Sequence, residues 1–593
     1  METPIKYYSE RARLYKDQLS ETKGQYHLVG FLRLISFVAF LIAGYQWLSV
    51  HSNLPLAVTI ISIIAFVVLI RVAFRLNDKK ALLEKLLFIN ENEINILQYQ
   101  PSGFNDAKHL ATNEDHSGDL DIFGPGSLFQ LLNRTSTYHG ARQLAGLLQQ
   151  PLLNKESIEA HQEAIKALSG QKELRQLITA HGLLHQENEG NLYDVMSWLK
   201  LPPVLHGQRW IKYMRFIIPV INVAALIFYL VTDNYFPLAL GVIISWSIIG
   251  SFAKKIGEQH NLLGKKQPIL EQYATILTDF SKVDSGGSQL LQQEKTTAQA
   301  AHKAIKRLSS LASFFDQRLN FLVNLFLNSL FIYDIHCLWA LENWKKAYTG
   351  KFNEWIHCVG TIETLNSLAT FAFNYPAYQY PAVAEKELLI STTQIAHPLI
   401  PEKERVANDM TIGREERLAL VTGSNMSGKT TFLRTLGVNL LLAQCGAPVC
   451  AARFVFTPMN IRTSIRVSDS LQEHTSYFMA ELKRLQQIIK HLEESNAPTL
   501  VLIDEILRGT NSEDKTHGSE QFIKKTLQYK CLTLFASHDL ALSKLENELP
   551  GQVSNYCFES TIRNDELLFD YTLRKGVAKN RNASFLMKKM EII

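Results

Sequence analysis

Between Leu418 and Leu433 the chain reads LALVTGSNMSGKTTFL, and this stretch limits the possible folds more than any other. Leu418 to Val421 has the length and composition of a buried strand. It runs straight into Gly423-Ser-Asn-Met-Ser-Gly428-Lys429-Thr430, after which helix formers follow. Strand, glycine-bearing loop and helix in that order make a phosphate loop. The glycines let the backbone curl so that successive N–H groups point inward at phosphate oxygens, and the helix N-terminus adds the positive end of its dipole. On this reading Gly423, Ser424, Asn425, Met426, Ser427, Gly428, Lys429, Thr430 and Thr431 bind ATP. Lys429 reaches the β- and γ-phosphates, and the Thr430 hydroxyl holds Mg²⁺.

A second buried-strand run, Thr499 to Ile503, ends in Asp504-Glu505. A carboxylate at a strand end beside a phosphate loop binds Mg²⁺ through water, and a second one next to it polarises the attacking water. Asp504 is therefore assigned to the metal and Glu505 to the general base. A third run, Cys531 to Ala536, ends in Ser537-His538. Asn425 and His538 are expected to contact or sense the γ-phosphate. Three strand ends converging on one crevice is the arrangement that a parallel sheet offers a nucleotide.

These residues resemble the MutS ATPases of DNA mismatch repair. TGSNMSGKTTFLR (Thr422 to Arg434) resembles the phosphate loop of that family, LVLIDEILRGTNS (Leu500 to Ser512) its Walker B strand and following loop, and FASHDL (Phe535 to Leu540) its histidine switch. Ser476-Tyr-Phe-Met-Ala-Glu481 is similar to the loop with which one subunit reaches the nucleotide of the other, and the likeness continues through His397-Pro398 and Val406-Ala-Asn408. The resemblance implies an ABC-like P-loop α/β domain at the C-terminal end, ATP with Mg²⁺ as cofactors, and a homodimer with composite ATP sites. Catalytic roles fall to Glu505, Lys429, His538 and Ser476, with Ser476 completing the site of the partner. Arg405 and Val406 fall on the adenine side; Arg405 stands where the family usually stacks an aromatic, and a guanidinium can stack instead. Leu507 replaces a glycine after Walker B, and the chain stops soon after Asn582-Ala583, leaving out most of the C-terminal dimerisation helices of the family.

The 593 residues leave room for several domains. A hydrophobic content of 46% and a charged content of 20% describe a folded protein, while a mean hydropathy of −0.03 is high enough to suggest some membrane-embedded length. The net charge of +5 neither demands nor excludes nucleic acid. Six cysteines (Cys337, Cys358, Cys445, Cys450, Cys531 and Cys557) show no zinc-ligand spacing and are read as buried small apolar residues in a reducing compartment.

Four apolar runs have the length of membrane spans: Phe31 to Val50 and Leu54 to Ile70, then Phe216 to Val231 and Phe236 to Phe252. Lys and Arg are absent between Arg33 and Arg71 and between Arg215 and Lys254, and they crowd the outer flanks. By the positive-inside rule both hairpins begin and end in the cytoplasm, which returns the chain to the side where ATP is found. The expectation is a multi-pass membrane protein with four spans, lipid as a partner, and both termini and the ATPase domain cytoplasmic. The spans contain almost no ionisable groups, so they read as anchors rather than a conduit.

The predicted organisation is a mixed α and α/β chain. It comprises a cytoplasmic segment (1–27), a transmembrane hairpin (28–75), a helical core domain resembling that of MutS (76–210), a second hairpin (211–253), a helical lever region (254–375) and the ATPase domain (376–593). Lever helices are expected at Glu258 to Asp279, Leu290 to Leu311 and Asp316 to Asn343, with Ser285-Gly-Gly-Ser288 as a helix break and a further helix from Trp344 to Asn374. Although Leu319 to Leu341 is apolar, Asp316, Asn320, Asn324 and Asn328 recur every four residues, and the segment is predicted as a long amphipathic helix outside the membrane.

Two short motifs resemble functional ones but are misplaced. Asp284 to Gln289 resembles an ABC-transporter signature but precedes the phosphate loop, and Phe352-Asn-Glu354 resembles a mismatch wedge but sits late in the helical region. The first hairpin occupies the place of the mismatch-reading domain of the family, and there is no room around Asp284 to Gln289 for its DNA clamp. The reading is a membrane-anchored MutS-like ATPase acting on double-stranded, mismatched or branched DNA, as the resemblance implies. The alternative is a membrane-tethered mechanical or transport-coupled ATPase without DNA binding.

Overall fold

The computed structural model describes the chain except residues 1–2, 51, 112–114, 186, 188, 386, 425, 467–476, 508–510, 564–565 and 579–593. It opens with two long helices, α1 (Pro4–Val50) and α2 (Asn53–Leu97), packed as an antiparallel pair. They reach well beyond the 28–75 segment at both ends. Large apolar side chains stand exposed from Leu28 to Phe74, whereas the polar ends of the pair bury Tyr7, Tyr8, Leu86 and Ile89 against the rest of the protein.

Six short helices follow: α3 (Asp115–Asp119), α4 (Leu128–Leu132), α5 (Tyr138–Gln149), α6 (Lys155–Ser169), α7 (Lys172–Gly182) and α8 (Glu189–Lys200). Their starts are written in the sequence: Ser127, Thr137 and Asn154 each accept a hydrogen bond from a backbone N–H three residues on. A second antiparallel pair, α9 (Ile211–Thr232) and α10 (Phe236–Leu263), is apolar on its outside like the first. All four helices of these pairs are long and apolar enough to cross a membrane.

The lever region consists of α11 (Gln267–Phe280), α12 (Gln289–Asp316), α13 (Phe321–Phe331) and α14 (Tyr333–Asn374). Two predicted helices are corrected here. Glu258 to Asp279 is interrupted at Gly264 and Lys265, the latter at φ 60°, and restarts with Pro268 in the first turn of α11, where a missing N–H costs nothing. Asp316 to Asn343 is likewise broken at Ile332, which adopts φ 42°, so α13 and α14 meet at 84° and no single amphipathic helix covers Leu319 to Leu341. Asn328 explains the break: its side-chain oxygen accepts the Asp334 N–H at 2.9 Å, capping a new helix instead of continuing the old one. The break at Ser285 to Ser288 is where it was expected, with Gly286 and Gly287 at positive φ and Ser288 capping α12.

Helix α14 is the spine of the core. Its buried Glu363 accepts the N–H groups of Ser136 at 2.8 Å and Thr137 at 3.2 Å, and a side chain at Gly140 would collide with that carboxylate. Phe352 is fully buried and packs edge-on against Trp344, a core residue and not a wedge.

After α14 come strands β1 (Ala382–Val383), β2 (Leu389–Ile395), β3 (Asn408–Gly413) and β4 (Leu418–Thr422), helix α15 (Lys429–Gln444), β5 (Arg453–Phe456), β6 (Asn460–Ser464), α16 (Tyr477–Glu494), β7 (Thr499–Asp504), α17 (Ser512–Thr526), β8 (Cys531–Ser537), β9 (Val553–Arg563) and β10 (Glu566–Lys575). One sheet runs β1-β5-β2-β3 and the other β10-β9-β4-β8-β7-β6. In the larger sheet β4, β6, β7, β8 and β9 are mutually parallel and β10 is antiparallel to β9. Strands β4, β7 and β8 are buried along their whole length, which accounts for their unbroken apolar runs. The core and sheet regions are bolted together by two carboxylates. Asp119 accepts from the backbone of Ile465 and Arg466 and from the Arg484 side chain at 2.6–2.9 Å, while Asp121 accepts from Arg434 at 2.8 Å and Arg466 at 2.7 Å.

Candidate nucleotide site

The sheet order β4-β8-β7 brings three strand ends side by side, with Thr422 paired to Ser537 and Asp504 to Ala536. Gly423, Ser424 and Met426 to Gly428 lie between the end of β4 and the start of α15. Two glycines make the turn possible. Gly428 has φ 106°, and a Cβ on Gly423 would lie 2.8 Å from the Phe558 carbonyl and the Ser427 hydroxyl. Lys429, first residue of α15, folds its ammonium back into the loop and donates to the carbonyls of Gly423 and Ser424, both at 2.8 Å. Its neighbour Thr430 donates its hydroxyl to Asp504 Oδ2 at 2.5 Å. The predicted metal pair is thus in direct contact across 74 residues of sequence.

The loop forms the floor of a cavity of about 760 Å³, a size typical of cofactor sites. Met426 to Thr431 line it with Asp504, Glu505 and Ser537. The rest of the lining includes Ile395, His397, Ile400, Arg405 and Val406, together with Phe558 and Tyr571. Arg405 and Val406 therefore line the same cavity as the loop. The Arg405 guanidinium lies over the Tyr378 ring at 5.6 Å and donates to its hydroxyl at 2.9 Å. The aromatic faces nearest the loop come from β9 and β10, which no motif marked. Asn408 ties them in, donating to the Tyr571 carbonyl at 3.1 Å and accepting from the Leu573 N–H at 2.7 Å.

Glu505 sits just past the end of β7 at φ 59°, so its side chain leaves the line of the strand. It receives Lys515 from α17 at 2.8 Å and contacts His538. His538 consequently meets the predicted base, and Ser537 is the member of that pair that lines the cavity. Lys515 was missed by motif reasoning; its only signal is a lysine in the first turn of a helix capped by Asn511. Leu507, also at positive φ (60°), fills the space in front of Gly518. His397 is half-buried in the cavity lining, where desolvation and then the neighbouring Arg434 hold its imidazole down at about 4. Asn425 and Ser476 lie outside the described residues.

Sequence comparison agrees with this geometry. The family model for MutS domain V matches residues 419–590, and that for MutS domain III matches residues 109–203. The chain belongs to the MutS family. Among MutS relatives, human MutS protein homolog 4 is 32% identical over 243 residues, covering 39% of this chain and 25% of the relative. A DNA mismatch repair protein MutS from Clostridium botulinum is 33% identical over 227 residues, covering 37% of this chain and 24% of the relative. The chain thus spans about a quarter of the length of these MutS relatives. The domain V match takes in β4, α15, β7 and β8, the elements that build the cavity floor; the domain III match takes in Asp119 and Asp121, which hold that floor to the helical core.

Proposed function

We propose that the protein is a membrane-anchored MutS-family ATPase that couples ATP binding and hydrolysis to movement of its helical region, with DNA as the polymer it acts on. The observation that carries the reading is the 2.5 Å contact of Thr430 with Asp504 on the floor of a cavity walled by the glycine loop. A triphosphate fits there because the α15 N-terminus and Lys429 both bring positive charge to the cavity that Met426 to Thr431 line. Thr430 and, through water, Asp504 would hold Mg²⁺, which when bound neutralises charge on the β- and γ-phosphates. Glu505 then accepts a proton from the water that attacks the γ-phosphorus, and the bond to the β-γ bridging oxygen breaks. His538, resting on Glu505, orients that carboxylate. Ser476 completes the site of a second subunit, so turnover requires a homodimer.

Anchoring is supported by the four long apolar helices and their basic flanks. Glu505→Gln should retain ATP and lose turnover by about 10²–10⁴-fold. Mixing a Ser476→Ala chain with a Lys429→Ala chain should restore part of the activity, and no restoration would reject the shared site. Stimulation of ATPase activity by homoduplex, mismatched or branched DNA, falling steeply with salt, tests the polymer. A second reading, a mechanical ATPase working on the membrane without DNA, is favoured by the docking of α1 on the end of α14, where Tyr8 meets Asn374. Turnover indifferent to DNA at every salt concentration would select it.

A further inference from the structure

We infer that α13 is a lipid-immersed element that enters the cytoplasmic leaflet beside the α9–α10 hairpin without crossing the bilayer. The inference rests on the anchored reading above and extends it to a helix that the polar pattern of the sequence assigned to water.

Its exposed surface is the first argument. Leu319, Phe321, Leu322 and Phe326 are 59%, 74%, 72% and 60% exposed, a density of bare aromatic and aliphatic side chains that water does not favour. Helix α13 packs on α9 and α10, so this face continues the apolar belt of that hairpin.

The second argument is the backbone. A helix that stops leaves its last carbonyls without N–H partners, and in hydrocarbon no water can supply them. Here protein groups do. Asn222, wholly buried in the middle of α9, donates to the Ser329 carbonyl at 3.0 Å and the Leu330 carbonyl at 3.2 Å, as well as to Ser245 at 2.9 Å. On the other side of the break Asn328 caps α14. The asparagines that looked like a water-facing stripe therefore include the group that closes this break, and Asn324 accepts from Asn328.

The third argument is depth. Asn222 lies seven residues beyond Arg215 and Ser245 nine before Lys254, which puts the end of α13 about 10–13 Å inside the basic flanks. Half of a hydrocarbon core is about 15 Å. Eleven residues rise only about 16 Å, too short to span. The segments that flank α13 are tied to each other, Arg318 meeting Asp334 at 3.3 Å and the Tyr333 hydroxyl donating to the Phe314 carbonyl at 2.7 Å.

The test uses the full chain in phosphatidylglycerol-containing nanodiscs with a nitroxide on an introduced cysteine, the native six being buried. Leu322→Cys and Phe326→Cys report on α13, Ile221→Cys on the hairpin and Lys306→Cys on water-exposed α12. Collision with oxygen should exceed collision with a water-soluble nickel chelate at both α13 positions, matching Ile221 and opposite to Lys306. A nickel-accessible α13 with an oxygen-accessible Ile221 overturns this inference and leaves the anchor standing. A nickel-accessible Ile221 overturns both, and α13 labels shielded from both reagents would mean that a protein surface covers it.

Discussion

The Tyr8 hydroxyl donates to the Asn374 side-chain oxygen at 2.8 Å, joining the second turn of the first helix to the last residue of α14 across 366 positions of sequence. Asn374 in turn donates to Glu93 at 2.7 Å, and Glu93 pairs with Arg134, so α1, α2, the loop after α4 and α14 share one buried polar cluster. Tyr8→Phe keeps the packing on Phe373 and leaves Asn374 Oδ1 without its donor. A loss of about 1–3 kcal/mol is expected, read as a lower denaturant midpoint of the detergent-solubilised chain.

Within the same cluster Glu93 and Arg134 have side chains only 1% and 2% exposed. Glu93→Ala strands a buried guanidinium and should cost about 3–5 kcal/mol, whereas Glu93→Leu combined with Arg134→Met should recover most of it. A double variant as unstable as the single one would show that the pair contributes more than mutual neutralisation.

His397 supplies a pH dependence with a definite sign. Its imidazole titrates at about 4 in the fold, because of burial and then Arg434, and at about 6.5 when unfolded. The folded state therefore binds the proton less readily, so the contribution of this group is complete above pH 6.5 and is lost as pH falls toward 4. His397→Gln should flatten the acid side of a stability-versus-pH curve in that window and leave it unchanged above 6.5.

Asp504→Asn keeps an oxygen for the Thr430 hydroxyl and removes the charge. Nucleotide should still bind, with the Mg²⁺ concentration for half-maximal activity raised roughly 10- to 100-fold. An unchanged Mg²⁺ requirement would remove Asp504 from the metal.

Much of the cavity floor could be read from residues alone, because a parallel strand buried on both faces must be an unbroken apolar run and the polar residues that end it must stand at one edge of the sheet. Leu418 to Val421, Thr499 to Ile503 and Cys531 to Ala536 carried that signal. The walls were not legible. Tyr571 and Phe558 arrive through a hairpin whose first strand pairs with β4 from far along the chain, Val553 opposite Leu418, and Lys515 reaches Glu505 from the first turn of α17. The α13 break escaped notice for another reason. A four-residue repeat of asparagines is the same pattern whether the groups face water or cap a broken backbone, and only the arrival of Asn222 from another helix distinguishes the two.

The length of α1 has a mechanical corollary. Forty-seven helical residues rise about 70 Å, more than twice the thickness of a hydrocarbon core. Under the anchored reading proposed above, the polar part from Pro4 to about His27 is a rigid stalk of about 36 Å whose foot is pinned by Tyr8, so a tilt of α14 by about 5° would reach the bilayer as a sideways displacement of about 3 Å and not be absorbed by slack chain.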